Sequence, residues 1–499
     1  MSQSRDAPAS PERVACGLNS IMGTTMRVLK FGGTSVGSAA AISNTADILA
    51  AQRTQDERIV GVFSAMSGIT NLLLSRADAA AHGDSEGVDA VRADLLAPHF
   101  AALFELVEDA ERRRQTEALI AHHADEVSRL LYSIYVLREC TARARDRIAS
   151  FGERMSTLLV AATLEDRGIP AQAVPADTLI VTDSVFGNAS PLLDRTTFRA
   201  RSTLEPLFQT GVMPIVTGFF GADEQGLTTT LGRGGSDYSA AILGYALDAD
   251  EVQIWTDVDG VLTADPRIVP EARMLDRVSY AEATELAYFG AKVIHPKTMH
   301  PAVEKGIPIR IQNTFNPDHV GTLIGADAPG QENGDNGTRR PAKALASVTG
   351  FAAVTVFGRG QIGVTDTTSR IFRAIGRTNA NVYMISQASS QHSLTFLLEE
   401  GHVAAIEREL RAEFAPDLEM GRVESIVVDR DLAIVAVIGE RMRGTPGVAG
   451  RVFSTLGAAG INIIAIAQGS SELNISCAIA GNEATRAVRA LHEAFDLAR

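Results

Sequence analysis

The sequence is poor in cysteine, in positive charge and in long apolar runs. Its three cysteines, Cys16, Cys140 and Cys477, form no C-x-x-C pair, so we expect neither a zinc ribbon nor a thioredoxin-type site. So sparse a set is typical of a reducing compartment. The 499 residues carry 46 basic and 60 acidic side chains, a formal net charge of −14. This surplus argues against a nucleic-acid-binding protein, which usually presents a basic face.

Apolar runs in the sequence fall well short of the ~20 residues that a membrane helix needs. The segment before Met26 is polar and lacks the apolar core of a signal peptide. We therefore interpret residues 1–25 as a disordered leader, and we expect a cytoplasmic protein with no membrane or nucleic-acid partner.

Short apolar runs alternate with helical patterns over residues 26–324. Strands are predicted at 27–31, 59–63, 170–174, 213–217, 252–256 and 307–312. Residues from about 71 to 163 have apolar positions at helical spacing and predict a set of amphipathic helices. This alternation predicts an α/β domain whose mostly parallel sheet is covered on both faces.

The rest of the chain contains a linker and an internal repeat. Residues 325–343 are rich in Gly, Asp, Asn and Pro, which is typical of a linker. Beyond it, Gly376 aligns with Gly457 and Gln387 with Gln468, at a constant offset of 81 residues. A fixed offset indicates two copies of one unit. We predict two small α+β units, at 344–427 and 428–499, that pack on each other.

Two glycine-rich segments have the composition of anion-binding turns. The first, KFGGTSVG, begins with Lys30 at a predicted strand end, and the second, TTTLGRGGSDYSA, contains Arg233, Ser236 and Asp237. Glycines allow backbone N–H groups to approach an anion, and the helix that follows adds its positive end. The alternatives are a tight turn with a solvated lysine, and Ser236 or Asp237 as a helix N-cap.

Three further segments carry polar residues in apolar surroundings. WTDVDGVLTADPR (255–267) follows a predicted buried strand, where ligands bind in open α/β sheets. FGAKVIHP contains Lys292, which we expect to reach a nucleotide phosphate. FGERMSTLL contains Glu153, for which the segment by itself favours the interpretation of a stabilising acid in the first turn of a helix.

Taken together and in this order, these motifs, with SGITNLL, resemble those of aspartate kinases from Met26 onward, and the C-terminal repeat resembles tandem ACT domains. The resemblance implies the amino-acid kinase fold, a three-layer α/β/α sandwich, plus two ferredoxin-like βαββαβ units. No homoserine dehydrogenase domain follows Arg499, so we expect a monofunctional enzyme. The implied reaction converts ATP and L-aspartate to ADP and 4-phospho-L-aspartate, the first step of lysine, threonine and methionine biosynthesis.

The resemblance also implies roles for individual residues. Lys30 would stabilise the transferred phosphate and Asp237 would organise the catalytic centre. Aspartate would be held by Thr70, Glu153, Arg233 and Ser236. ATP, brought with Mg²⁺, would be held by Lys30, Gly32, Gly33, Thr34, Ser35, Thr256, Asp257, Arg267 and Lys292. No residue is assigned as a direct metal ligand.

Regulation and assembly are expectations of the same kind. Gln387 and Gln468 resemble the effector positions of threonine-sensitive members, so we expect feedback inhibition by threonine, with lysine as the second candidate. Paired ACT units imply a homodimer or a higher homo-oligomer. Two other functions stay open at this point: an amino-acid kinase acting on glutamate, acetylglutamate or a nucleotide, and a non-catalytic amino-acid sensor.

Overall fold

The computed structural model describes residues 25–53, 57–290, 294–326, 340–358, 364–378, 380–387 and 393–499. The predicted leader (except Thr25), Lys292 and most of the predicted linker lie outside these ranges. Within these ranges the N-terminal domain contains ten strands: β1 Thr25–Phe31, β2 Glu57–Phe63, β3 Ala171–Val174, β4 Met213–Thr217, β5 Phe220–Ala222, β6 Thr228–Thr230, β7 Glu251–Thr256, β8 Arg277–Ser279, β9 Ile309–Asn313 and β10 Thr322–Gly325.

Eight of these strands form one sheet in the order β3-β4-β2-β1-β7-β9-β10-β8. Its pairs are parallel except β9–β10. The predicted mostly parallel sheet is confirmed, and the remaining strands, β5 and β6, form a separate antiparallel pair.

Ten helices accompany these strands within the described residues: α1 Ala39–Gln52, α2 Ile69–His82, α3 Ser85–Leu106, α4 Ala110–Leu137, α5 Ala142–Ala149, α6 Phe151–Asp166, α7 Leu193–Gln209, α8 Gly235–Leu247, α9 Tyr280–Tyr288 and α10 Pro296–Lys305. Neighbouring residues of β1 point to opposite faces of the sheet. Val28 belongs to the apolar core that includes residues of α7, α8 and α10. Leu29 belongs to the core that includes residues of α1 to α6. The sheet is therefore covered on both faces, as the three-layer prediction requires. None of the described helices is long and apolar enough to cross a membrane.

The parallel register places several glycine-rich turns at one edge of the sheet. Phe31 at the end of β1 lies opposite Phe63 of β2 and Trp255 of β7. Phe63 in turn lies opposite Thr217, the last residue of β4. Because carboxyl ends of parallel strands meet at the same edge, the segments after these four strands lie together there.

The C-terminal part forms a six-stranded antiparallel sheet in the order β12-β13-β11-β14-β16-β15. Its strands are β11 Ala344–Gly358, β12 Met384–Gln387, β13 Ser393–Glu399, β14 Val423–Ile438, β15 Ala465–Ala467 and β16 Asn474–Ala480. Its helices are α11 Val364–Gly376, α12 Val403–Glu413, α13 Ala415–Glu419, α14 Val448–Ala458 and α15 Ala484–Ala494.

The two C-terminal units share their long central strands, which differs from the predicted division at residue 428. Residues 344–349 of β11 pair with 433–438 of β14 and so supply the fourth strand of the second unit. Residues 351–357 pair with β13 of the first unit. Gly350 and Asp431 have φ of 85° and 55° where the strands pass from one unit to the other. The end of the predicted linker is also packed, since the N–H of Lys343 donates to the carbonyl of Ile438.

Candidate active site

A cavity of about 340 Å³ opens at the carboxyl edge of the parallel sheet. Its walls come from the segments after β1, β2, β4 and β6 and from the first turns of α2, α6 and α8. Every residue that we assigned to catalysis or to aspartate binding lines it: Lys30, Thr70, Glu153, Arg233, Ser236 and Asp237. Residues up to 207 positions apart in the sequence therefore meet in one pocket (30 to 237).

An ion pair lies on one wall of the cavity. The Nζ of Lys30 is 2.6 Å from the Oδ1 of Asp237, and both side chains are mostly buried. Lys30 is held by β1 in the middle of the sheet, and Asp237 lies in the first turn of α8. The pair fixes a cation on the wall of the cavity.

Glycines and helix ends form the neighbouring wall. Gly234, the N-cap of α8, has φ of 70°, and a Cβ on Gly235 would lie 3.0 Å from the carbonyl oxygen of Phe219. Phe219 itself has φ of 74°, a strained conformation that is found at functional sites. The N-terminus of α2, after Gly68, also borders the cavity. Free N–H groups at two helix N-termini are suited to binding an anion.

Glu153 is a buried carboxyl in the first turn of α6. Its side chain is 3% exposed, and its Oε2 has no hydrogen-bond partner within the described part of the chain. Burial raises its pKa to about 8. Glu153 does lie in the first turn of α6, as the alternative interpretation expected, but its carboxyl faces the cavity with one oxygen unused. Such a group favours a cationic ligand atom, which would restore its ionised form.

Arg233 lies between Gly232 and Gly234 at the mouth of the cavity. Its side chain is exposed and has no hydrogen bond or ion pair with the residues that the structure describes. A free guanidinium can bind a carboxylate through two parallel hydrogen bonds. Arg233 is therefore available for an acidic ligand.

Asp146 supports the segment that leads to Arg233, a role that the sequence analysis did not predict. Its buried carboxylate accepts hydrogen bonds from the N–H of Gly187 and from both the N–H and the hydroxyl of Thr230, each 2.8 Å long. Thr230 ends β6, three residues before Arg233. An aspartate in the arginine-rich segment RARDR has the pattern of a surface ion-pair partner, so no sequence signal distinguished it.

Among the predicted nucleotide residues, those after β1 differ in their environments. Gly33 lines the cavity and Thr34 is exposed. The N–H of Gly32 donates to the carbonyl of Trp255, so this turn is joined to β7. Ser35 is fully buried, and its hydroxyl is 2.7 Å from that of Thr314. The Ser35 side chain thus joins the turn to the chain beyond β9.

The other predicted positions that the structure describes do not line this cavity. The Thr256 hydroxyl donates to Asp257, and Arg267 pairs with Asp265 at 2.6 Å with 83% of its side chain exposed. Gln387 ends β12 and Gln468 follows β15, and both are exposed. Lys292 is outside the described residues. No group of three or more His, Cys, Asp and Glu side chains within the described ranges could hold a metal ion.

Comparisons with known proteins agree with this architecture. The amino acid kinase family matches residues 25–313, and an ACT domain family matches 354–414 and 435–495. The chain is 35% identical over 473 residues to the lysine-sensitive aspartokinase 3 of Escherichia coli, covering 93% of this chain and 98% of that protein. The crystal structure of E. coli aspartokinase III with aspartate and ADP (R-state) superposes with a TM-score of 0.75 at 32% identity, covering 94% and 99%.

Longer relatives also match. The bifunctional aspartokinase/homoserine dehydrogenase 1 (chloroplastic) of Zea mays is 37% identical over 481 residues, which is 96% of this chain. The chain spans only 51% of the length of that relative.

Proposed function

The chain belongs to the aspartokinases of the amino acid kinase family, and from this membership we propose that it phosphorylates the side-chain carboxylate of L-aspartate with ATP, giving ADP and 4-phospho-L-aspartate. One observation carries the proposal. A single cavity contains the ammonium of Lys30, the free guanidinium of Arg233 and the buried carboxyl of Glu153, which has one unused oxygen. These groups match the charges of an acidic amino acid beside a phosphate.

The substrate has one positive and two negative groups, and the cavity offers a partner for each of them. We assign the ammonium of aspartate to Glu153 and the α-carboxylate to Arg233. Thr70 and Ser236 would donate hydrogen bonds to the substrate carboxylates from the first turns of α2 and α8. The side-chain carboxylate then faces the glycine-rich wall, where the helix N-termini favour its charge and that of the phosphate.

Phosphoryl transfer requires positive charge and positioning more than covalent help from the protein. Lys30, held in place by Asp237, would stabilise the charge that develops on the transferred group. The attacking carboxylate is already ionised at neutral pH, so the reaction needs no general base. The backbone N–H groups near Gly33 and in the first turn of α8 after Gly235 would add hydrogen bonds to the phosphate oxygens.

Mg²⁺ enters this proposal as an ion carried by ATP. Mg²⁺ is commonly held by substrate phosphates together with one or two carboxylates rather than by an all-protein cage. When bound, the ion would neutralise charge on the phosphates of ATP.

The nucleotide itself we assign to the neighbouring loops. Gly32, Gly33 and Thr34 would contact phosphate, and Ser35 would support their turn through Thr314. Thr256, Asp257, Arg267 and Lys292 would bind the rest of ATP, as their motifs imply. To bind the nucleotide, Arg267 would have to release its ion pair with Asp265.

Regulation by an amino acid end product is the second part of the proposal. The ACT units support an effector site, and we favour threonine over lysine because Gln387 and Gln468 resemble the effector positions of threonine-sensitive members. Their exposed side chains are available to a ligand or to another chain. The enzyme would then serve lysine, threonine and methionine biosynthesis in the cytoplasm. Titration of activity with each amino acid tests this, and inhibition by lysine alone would refute the preference.

We also propose a homodimer, or a higher homo-oligomer, formed through the ACT units. The edge strands β12 and β15 of their sheet have unpaired backbone groups, and Ile385 and Ile466 on them are 45% and 42% exposed. Open edges with apolar side chains favour pairing with another chain. Sedimentation of the purified protein tests the assembly.

ADP release measured with a panel of amino acids tests the activity. The proposal expects turnover with L-aspartate and formation of an acyl phosphate that hydroxylamine traps. Turnover with glutamate or acetylglutamate in its place would assign another amino-acid kinase activity. No turnover, with amino-acid binding retained, would assign a sensor.

A further inference from the structure

The loop between β7 and β8, which contains Arg267, folds as a hairpin. Leu262 and Met274 form an antiparallel bridge at its base. Next to them, the N–H of Thr263 donates to the carbonyl of Arg273 over 2.9 Å, and the N–H of Arg273 donates back to the Thr263 hydroxyl over 3.1 Å. Arg267 therefore lies at the tip of a hairpin, which we call the nucleotide hairpin (residues 261–275).

The tip of the nucleotide hairpin rests on the second ACT unit. Ala264 and Val269 are both buried, and they belong to the same apolar cluster as Leu491 of α15. Arg489, also on α15, donates from its Nε to the carbonyl of Ile268 over 2.7 Å. The hairpin is thus packed against the regulatory part of the chain.

A buried polar contact joins the same two elements. The hydroxyl of Thr263 is 3.0 Å from the Nε2 of His492 on α15, and the two residues are 1% and 3% exposed. The carbonyl of Thr263 accepts a further hydrogen bond, 2.8 Å long, from the N–H of Leu345 on β11. Removing the imidazole would deprive a buried hydroxyl of a partner, which is more costly than losing an exposed hydrogen bond.

We propose that His492 and Arg489 are positioning residues for ATP, which place the nucleotide hairpin from the second ACT unit. This inference rests on the proposed function, which assigns Arg267 to ATP. The residues assigned to aspartate lie on other elements, namely α2, α6, the turn before α8 and the first turn of α8. Displacement of the hairpin should therefore weaken ATP binding and leave aspartate binding unchanged.

The experiment compares variants of the full chain by their KM for ATP, their KM for aspartate and their kcat. His492→Leu removes the ring nitrogen at similar volume, and Thr263→Val removes the hydroxyl from the other side. We expect each to raise the KM for ATP about 5- to 20-fold, the range for a lost buried hydrogen bond. The KM for aspartate should stay within about twofold, and the double variant should add little to either single one.

Arg489→Ala and Arg486→Ala form a matched pair. Both arginines are exposed on α15, but Arg489 bonds the hairpin whereas Arg486 bonds Glu483 on its own unit. We expect only Arg489→Ala to raise the KM for ATP, by about threefold. Because it alters an exposed residue, this pair keeps the inference testable if His492→Leu fails to fold.

Calorimetric binding of Mg-ATP provides a readout that does not need turnover. Unchanged ATP affinity in folded Arg489→Ala and Thr263→Val overturns the inference, and so does an equal rise in both KM values. A wild-type chain that binds ATP but forms no aspartyl phosphate refutes the proposed function and leaves the binding comparison valid.

Discussion

The buried carboxyl of Glu153 predicts that aspartate binding depends on pH. Its pKa is raised from the ordinary 4.5 to about 8 because burial penalises the charged form. At pH 7 about ten in eleven molecules therefore hold it protonated. If the substrate ammonium requires the ionised form, the apparent dissociation constant at pH 7 is about 11-fold above its high-pH limit, and at pH 6 about 100-fold above it.

The assay is calorimetric titration of the protein with L-aspartate between pH 6 and 9, in buffers of different ionisation enthalpy. Affinity should rise with pH and level off above pH 8, and binding near pH 6.5 should release close to one proton. Glu153→Gln keeps the shape but cannot ionise. At pH 9 it should weaken aspartate binding about 10- to 100-fold relative to the wild type, the range for losing a hydrogen bond to a charged group, and it should remove the pH dependence.

A matched control lies on the same helix. Glu165→Gln changes an exposed carboxyl near the other end of α6 and should alter neither the affinity nor its pH profile. An affinity for aspartate that is flat from pH 6 to 9 in the wild type would refute the reasoning. A Glu153→Gln variant that keeps the wild-type slope would refute it as well, since another group would then be titrating.

Stability should change in the opposite sense to function. The folded-state pKa of Glu153 lies above its unfolded value, so the folded state holds the proton more tightly. This contribution is fully present below about pH 4.5 and is lost as pH rises through about 8. At pH 9 Glu153→Gln should therefore melt at a higher temperature than the wild type, although it binds aspartate less well.

Three further substitutions test the rest of the cavity. Lys30→Ala should lower kcat by about 10²- to 10³-fold or more, as expected for loss of one preorganised electrostatic group, and near-normal turnover of the folded variant would contradict its role. Arg233→Lys should raise the KM for aspartate about tenfold with little change in kcat, because an ammonium cannot form the two parallel bonds, and an unchanged KM would assign the α-carboxylate elsewhere. Asp146→Ala should leave the amide and hydroxyl of Thr230 unpaired at a cost of about 2–3 kcal/mol, seen as a lower melting temperature together with a raised KM for aspartate.

Local patterns predicted the elements that build the site. Short apolar runs placed β1 and β2 within two residues of their observed starts, because strand periodicity and the glycines that follow are properties of neighbouring residues. The two glycine-rich segments also pointed to the correct edge of the sheet, since parallel strands fix which ends meet. The meeting of Lys30 with Arg233, Ser236 and Asp237 in one cavity follows from these two facts.

What escaped prediction depends on contacts between distant segments. The burial of Glu153 depends on the packing of α6 beneath the turn after β2, which no local pattern encodes. The exchange of strand β11 between two repeat units depends on pairing residues 344–349 with 433–438, about 90 positions away. A repeat that is recognised from the sequence assigns each strand to its own copy of the unit. The sequence analysis therefore did not predict that the two units share strand β11.

The proposed binding of a charged substrate is favourable because most charges of the cavity itself are paired or suppressed beforehand. Lys30 is neutralised by Asp237, and Glu153 is held in its protonated form by burial. Arg233 is then the charge at the mouth that has no partner among the described residues, in a chain whose net charge is −14. An incoming aspartate would meet Arg233 first, and its ammonium would ionise Glu153 only on arrival. In this order each buried charge has a partner of opposite sign at every stage. The free-energy cost of burying an unpaired charge is therefore avoided.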